Sequence, residues 1–482
     1  MSELVAMRGI YLRDTLISTI GLIIISILCV VCFLRHQFVT PLKRILVEVK
    51  RFAKETRLPE NGDLECDCAI RELEDLTATV VRLEHDTVGY MENLTRVTAE
   101  QERLDTELAL AKRIQANVLP NLFPPFPDRK EFDIFASMTP AKEVGGDFYD
   151  FFLLDEDHLG LVMADVSGKG VPAALFMMAT KNLIKTYAMN GGTPSQILHT
   201  VNREICKHNT DDMFVTVWFG ILTLSTGKVI ASNAGHEYPA VKRRGGSFEL
   251  FKDKHGFVIG GMSCAKYQDY AFDLLPGDSL FVYTDGVPEA TDSSNQMFAT
   301  DGMLKALNAA ADDTPQTILA SVNHGIDDFV GEAEQFDDIT MLSLRVNCLQ
   351  SKNSITTYPE LKSVSLVNEF LSRQIAQWEI PHKSANKMQI AADEIYSNIM
   401  RYSGADTATV SCRKDGSVIT LTFSDNGVPF DPTQVKEPDT TLRAEEREIG
   451  GLGIHMVRKS VSSMTYERKA GTNNLTLTFH LS

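Results

Sequence analysis

Residues 143–170, EVGGDFYDFFLLDEDHLGLVMADVSGKG, set two glycine-flanked aspartates, Asp147 and Asp165, at the outer ends of what reads as one hairpin. Phe148 to Leu154 is rich in aromatics, Asp155 to His158 is a polar turn and Leu159 to Val166 is a short apolar run, which predicts strand, turn, strand. Pairing would bring the two carboxylates close, and hard divalent cations take clustered carboxylate oxygens. A glycine beside each acid lets backbone and water approach an ion. More acids border distant apolar runs: Asp285 in FVYTDGVPEA, and Asp337 with Asp338 in FDDITML. A single Asp-Gly reads as a turn. The set reads as a metal site.

A second set lies near the C-terminus. A helix around Lys387 to Tyr402 places Met388, Ala391, Ile395, Ile399 and Tyr402 on one buried stripe, with Glu394 and Asn398 stacked four apart on its flank. A carboxylate and an amide so placed can activate a hydroxyl and hold Mg²⁺. Taken alone they are an exposed polar pair. Downstream, Ser417 to Phe423 is a strand running into SDNGVPF, where Asp425 can accept from an adenine amino group and Gly427 leaves room for the ring. REIGGLGIHMVRK then opens a helix with Gly450, Gly451 and Gly453, whose backbone N–H groups can face phosphates.

In order, GGDFYD, DVSGKGVPAALFM, SNAGHEYP, YTDGVPEA and FDDITML resemble the metal-dependent (PPM) protein phosphatases of the SpoIIE and RsbU branch, over about residues 110–346. The resemblance implies that Asp147, Asp165, Asp285 and Asp337 bind metal, with the Val166 carbonyl as a further ligand. Asp338 stands where many relatives outside this branch have Asn, and which of Asp337 and Asp338 faces the metal is open. It implies two Mn²⁺ or Mg²⁺ ions that acidify a bridging water for in-line attack on a phosphoserine or phosphothreonine, without a covalent enzyme intermediate. His236 in SNAGHEYP is a candidate general acid but reads as structural, closing a turn after a strand. Lys142 and Lys169 could contact the phosphate but read as solvated loop lysines.

ExxxN, DNG and GGLG together resemble the GHKL ATPase fold, within it the RsbW and SpoIIAB type of anti-sigma serine kinase, over about residues 358–482. The resemblance makes Glu394 the general base, Asn398 the Mg²⁺ ligand, Asp425 the adenine contact and Gly451 with Gly453 the triphosphate cradle. Residues 431–449 would be the ATP lid.

These sites need elements to position them. At 482 residues the chain should hold two or three domains, and 44% hydrophobic content fits ordered globular structure. A net charge of -17 argues against a nucleic-acid role, since no basic patch exceeds runs such as Lys242 to Arg244. Eight scattered cysteines, including a lone Cys66-x-Cys68, form neither disulfide framework nor zinc site. Leu16 to Leu34 is an uncharged run of 19 residues, long enough to cross a bilayer. Arg35, His36, Lys43, Arg44, Lys50 and Arg51 follow it, against Arg8 and Arg13 before it, which places the rest of the chain in the cytoplasm. No small-residue cleavage site follows, against a signal peptide.

From Phe38 a helix, the connector LPENGD and a Glu-rich second helix from Ile70 resemble a HAMP relay module over about residues 35–88. Leu73, Leu76, Val80, Leu83, Thr87, Tyr90, Leu94, Val97, Gln101, Leu104, Leu108, Ala111, Gln115 and Val118 then keep a 3,4 alternation, the seam of a parallel coiled-coil dimer. Thr87, Gln101 and Gln115 weaken that seam, as in a helix pair that changes register, although a static spacer would read alike. LALAKRIQANVLPNLFP resembles the segment ahead of RsbU-type domains, thought to hold a switch element at the metal site, here the apolar helix Val171 to Thr180.

The expected fold is α+β multidomain: 1–14 outside the membrane, a transmembrane helix over 15–34, HAMP over 35–88, coiled coil over 89–120, a PPM αββα sandwich over 121–346, a linker over 347–357 and a GHKL (Bergerat) α/β sandwich over 358–482. The expected function is a single-pass, inner-membrane regulator that both removes and adds phosphate on a Ser or Thr of a STAS-domain anti-sigma antagonist, with a sigma factor as a further partner. The alternative makes the ATPase domain an ATP-gated binding module. A third reading, a histidine kinase using His85, lacks the Leu-Arg-x-Pro pattern that should follow the histidine.

Overall fold

The computed structural model describes residues 2–58, 70–435 and 452–481, which fall into two compact units, 1–107 and 108–482. Cys66, Cys68, Gly450, Gly451, most of LPENGD and residues 436–449 of the expected lid lie outside the described residues.

In the first unit α1 (Ser2–Leu34) continues through a π-helical stretch, Arg35–Val39, into α2 (Thr40–Glu55). The helix expected to begin near Phe38 is thus the continuation of an unbroken path. Pro41 supplies the reason: its missing N–H and its ring disturb the preceding turn. The widened turn takes this up, with the Thr40 N–H reaching back to the Arg35 carbonyl. The run within Arg8–Glu55 is the one helix among the described residues long and apolar enough to cross a membrane. α2 ends at Thr56, in the left-handed region with φ 50°. α3 (Arg71–Val118) is one helix of 48 residues, and along its expected seam Leu83, Tyr90 and Leu94 are 65%, 76% and 62% exposed.

The second unit holds two domains. The first is built by β1 (Phe132–Thr139), β2 (Phe148–Leu153), β3 (His158–Val166), α4 (Val171–Met189), α5 (Pro194–His208), β4 (Val215–Thr223), β5 (Lys228–Ala234), β6 (Ala240–Lys242), β7 (Phe248–Leu250), β8 (Tyr270–Asp273), β9 (Ser279–Tyr283), α6 (Ala299–Asn308), α7 (Pro315–Val330) and β10 (Ile339–Val346). Two antiparallel five-stranded sheets, ordered β1-β10-β9-β6-β7 and β2-β3-β4-β5-β8, face each other. α4 and α5 cover the second sheet, and α6 and α7 the first. Central strands such as β3 are buried on both faces, which is why Leu159 to Ala164 reads as a continuous apolar run rather than an alternation. The expected hairpin is present: β2 pairs β3 from Phe148 with Ala164 to Leu153 with Leu159. Asp155 makes its turn, accepting from the N–H of Asp157 and His158 at 2.7 and 2.9 Å.

β11 (Cys348–Gln350), β12 (Ser354–Thr357), α8 (Leu361–Gln377), α9 (His382–Asn398), β13 (Ala408–Asp415), β14 (Val418–Asp425), α10 (Leu452–Ser460), β15 (Ser463–Lys469) and β16 (Thr472–His480) form the last domain. Its six-stranded antiparallel sheet runs β11-β12-β13-β14-β16-β15, and α9 packs between α8 and α10. The stretch 347–357 is therefore a hairpin of this sheet, not a linker; only Asn347 separates β10 from β11. β12 alternates half-buried Ser354 and Thr356 with buried Ile355 and Thr357, and β11 buries Cys348 and Leu349. The buried stripe on α9 holds for Met388, Ala391 and Ile395, but Tyr402 is 70% exposed. After Asn398 the helix widens into a π-turn, Ile399–Ser403, and the extra residue per turn swings Tyr402 off the stripe.

Candidate active sites

The first site forms where β2, β3, β9 and β10 end together. Asp147 precedes β2 and is 2% exposed, with the Thr284 hydroxyl donating to its Oδ2 at 2.6 Å. Burial, then repulsion from Asp165 and Asp338, raises its pKa well above the carboxylate range. Asp165, in the penultimate position of β3, is pushed up to about 6, chiefly by burial. Asp285, two residues past β9, is pushed up to about 7 by burial and then by Asp165, Glu289, Asp337 and Glu237. Glu237 and Glu289, inside SNAGHEYP and YTDGVPEA, were not among the expected site residues; only their place in those motifs could have flagged them.

Asp337 and Asp338 do different work. Asp338 is buried and turned into the backbone, its Oδ1 accepting from Ala141 N–H at 2.8 Å and its Oδ2 from Gly146 N–H at 2.7 Å. Gly145 lies against the same carboxylate and Gly146 against the Val166 carbonyl, so a side chain at either would collide. Asp337 is more open and its Oδ2 pairs with Lys169 at 3.0 Å, so this lysine is not merely solvated. Among the described residues no three acidic, histidine or cysteine side chains close into a ligand cage. Asp147, Asp165 and Asp285, each raised by burial and by neighbouring acids, nonetheless fit a divalent cation, whose charge would favour their ionised forms.

His236 is buried. Its Nε2 donates to the Tyr283 carbonyl at 3.0 Å, which leaves Nδ1 to accept from the Thr216 hydroxyl at 2.8 Å. Burial lowers its pKa to about 3, so it is a neutral scaffold residue and not a proton donor. Gln115, read from sequence as a weak seam position, is buried instead: its Oε1 accepts from Gly145 N–H at 3.1 Å and its Nε2 donates to the Gly145 carbonyl at 2.6 Å. The end of α3 thereby grips the loop carrying Asp147. On α4, Lys181 forms a buried ion pair with Asp150 of β2 at 2.8 Å. Breaking such a pair from one side costs about 3–5 kcal/mol, which fixes α4 beneath the acids.

The second site lies between α9, β14 and α10. Asp425 is 6% exposed, and the Ser403 hydroxyl, the Gly427 N–H and the Asn473 amide donate to its Oδ1 at 2.6, 3.0 and 3.0 Å. All hydrogen bonds from the described residues thus go to one oxygen, and Oδ2 is left to face a ligand donor. Gly427 presses against the Ser403 carbonyl and hydroxyl and needs a bare Cα, whereas Gly453 lies against the Glu394 carboxylate, a side-chain end that can shift. Glu394 and Asn398 are half-buried on α9. Ser403 and Asn473 escaped the sequence reading because neither belongs to a spaced motif. Asp425 with its free oxygen, the two bare glycines and the acid on α9 suit an adenine nucleotide.

The sandwich with its acidic end and the helix-backed sheet define a class: a PP2C-like phosphatase domain joined to a histidine kinase-like ATPase domain. Residues 155–347 match the stage II sporulation protein E (SpoIIE) family, and residues 358–479 the histidine kinase-like ATPase domain. The chain carries a SpoIIE-type, PP2C-like phosphatase domain followed by a histidine kinase-like ATPase domain. Asp147 lies just ahead of the matched segment. The chain is 30% identical to protein IcfG of Synechocystis sp. over 54% of this chain and 45% of that one. It is 26% identical to phosphoserine phosphatase RsbU of Bacillus subtilis over 54% of this chain and 75% of that one. It is 31% identical to serine/threonine-protein kinase BtrW of Bordetella bronchiseptica over 19% of this chain and 68% of that one. The chain thus spans less than half the length of IcfG.

Proposed function

We propose that the chain is a membrane-anchored, dimeric regulator whose two catalytic domains act in opposition on one Ser or Thr of a STAS-domain anti-sigma antagonist, with partner switching as its output. The observation that carries the phosphatase half is the gathering of buried Asp147 with half-buried Asp165 and Asp285, each held above the carboxylate range by burial and by neighbouring acids. In this reading those acids, Asp337 and the Val166 carbonyl hold Mn²⁺ or Mg²⁺. When bound, such ions supply positive charge to the phosphoryl oxygens and acidify the attacking water. Thr284 holds the Asp147 carboxylate in orientation, and Asp338 fixes the loop from Ala141 to Asp147 by its backbone bonds. His236 stays neutral and keeps Thr216 and Tyr283 in place.

In the ATPase domain, Asp425 accepts from the adenine amino group and Gly427 leaves space for the ring. Glu394 takes the proton of the substrate hydroxyl, Asn398 holds Mg²⁺, and Gly451 and Gly453 let backbone N–H groups approach the phosphates. The similarity to BtrW supports a serine kinase. The exposed seam of α3 supports a coiled-coil homodimer, and the apolar helix with its flanking basic residues supports a single-pass inner-membrane anchor behind a HAMP-like relay.

The test incubates the Asp165→Asn full chain with ATP, Mg²⁺ and a STAS-domain protein encoded beside its gene, and reads intact mass. One added phosphate that wild-type chain removes with Mn²⁺ is the expected result. No added phosphate, with ATP bound, refutes the kinase half and makes the domain an ATP-gated binding module for the antagonist or a sigma factor.

A further inference from the structure

The cleft between the phosphatase sandwich and the ATPase domain takes no part in either site. It has a volume of about 380 Å³, within the range of small-molecule sites. Its back wall is stiff: β10 passes into β11 through Asn347 alone, and the N–H groups of Asn347 and Cys348 both donate to the Glu131 carbonyl, at 2.8 and 3.2 Å.

The lining is cationic in a chain of net charge -17. Two of its cations are already satisfied: Arg129 pairs with Glu131 at 3.0 Å, and Arg244 lies over the Tyr358 ring 3.6 Å from Glu360. Lys130, Arg345 and Lys362 form no ion pair among the described residues, and the Lys130 ammonium donates to the Pro127 carbonyl, at 2.9 Å. Asp133 stands across the ladder from Arg345, yet its carboxylate takes the Asn347 amide at 3.1 Å. The Arg345 Nε is buried without a hydrogen-bond partner. The exposed Asp312 lies near enough to Lys362 to sense its charge. Two helices, α7 and α8, also begin at the cleft, and their N-terminal N–H groups add positive potential.

We infer that this cleft binds a small polyanion, a phosphate-bearing metabolite held by Lys130 and Arg345 of the phosphatase domain and Lys362 of the ATPase domain. The volume admits a small molecule and not a folded partner. Because cations of both domains share one ligand, its occupancy ties the two opposed domains together. This does not depend on the substrate proposed above.

The probe is inorganic pyrophosphate, titrated into the full chain in detergent micelles with EDTA present and followed by calorimetry. Saturable binding is expected, weakened about tenfold by Lys362→Gln or Arg345→Gln, since a charge-assisted hydrogen bond is lost in each. Lys362 is exposed, so its substitution leaves the core intact, and Lys130→Gln serves as the second surface variant should Arg345→Gln fail to fold. Unchanged affinity in both lysine variants overturns the inference. So does binding that excess ATP abolishes and that the cleft variants leave unchanged, which would assign the anion to the nucleotide site.

Discussion

Asp337→Asn and Asp338→Asn should separate two acids that are neighbours in sequence and strangers in role. Asp338 is 7% exposed and uses both oxygens, one for Ala141 N–H and the other for Gly146 N–H, with Asp147 N–H at a longer 3.4 Å. Asparagine has one acceptor oxygen, so whichever way it turns, its NH₂ faces a backbone donor. Losing one charge-assisted bond and stranding its donor costs about 2–3 kcal/mol. Removing the charge that repels Asp147 returns part of this, leaving about 1–2 kcal/mol. In a domain of this size that lowers Tm by roughly 2–8 °C. The Asp337 pair with Lys169 is partly solvated and is worth about 0–1 kcal/mol, so Asp337→Asn should move Tm by less than about 4 °C. Activity should divide the other way. Hydrolysis of p-nitrophenyl phosphate across a Mn²⁺ titration should fall about 100-fold or more in Asp337→Asn, as for loss of a ligand, and within about tenfold in Asp338→Asn. Thermal unfolding in EDTA supplies the stability half. Intact turnover in Asp337→Asn with abolished turnover in a well-folded Asp338→Asn would refute the division.

Three further outcomes follow from the same geometry. Asp285 has a folded pKa of about 7, so between about pH 4 and that value the metal-free folded state keeps a proton the unfolded chain has released. Its stabilising share is therefore full at low pH and lost as pH rises through about 7; in EDTA, Asp285→Asn should gain on wild type across that window by chemical denaturation, and Mn²⁺ should reverse the gain. Gly453→Ala puts a methyl group against the Glu394 carboxylate, a movable side-chain end, so phosphoryl transfer should fall by about tenfold or more while ATP affinity changes less; equal losses in both would separate Glu394 from the chemistry. Leu94→Cys on the exposed seam should cross-link covalent dimers on mild oxidation and Glu92→Cys, two residues off the seam, should not.

Much of the site was legible because its acids sit where strands stop, and stops are written in short-range chemistry. Asp155 makes the turn its position predicts, and the β2–β3 register that follows carries Asp147 and Asp165 to one end. What sequence could not supply was the partner of a polar side chain. Gln115 keeps the 3,4 spacing of a seam, and spacing alone does not distinguish a second helix from a loop of the same chain; its carboxamide instead grips Gly145. Asp337 and Asp338 differ by one position, and only the turn into β10 decides which carboxylate meets backbone N–H groups. Asn347 to Thr357 reads as polar connector because its strands are three and four residues long and carry only Cys348, Leu349 and Ile355 as apolar residues. That misreading has a mechanical consequence. With no slack between β10 and β11, whatever tilts the phosphatase sheet also tilts the ATPase sheet, and the Arg244 contact with Tyr358 and Glu360 lies where that tilt would be felt. A flexible linker would let the two activities respond independently. A one-residue junction makes a change in one domain's packing a bias on the other, as the proposed pair of opposed reactions would require.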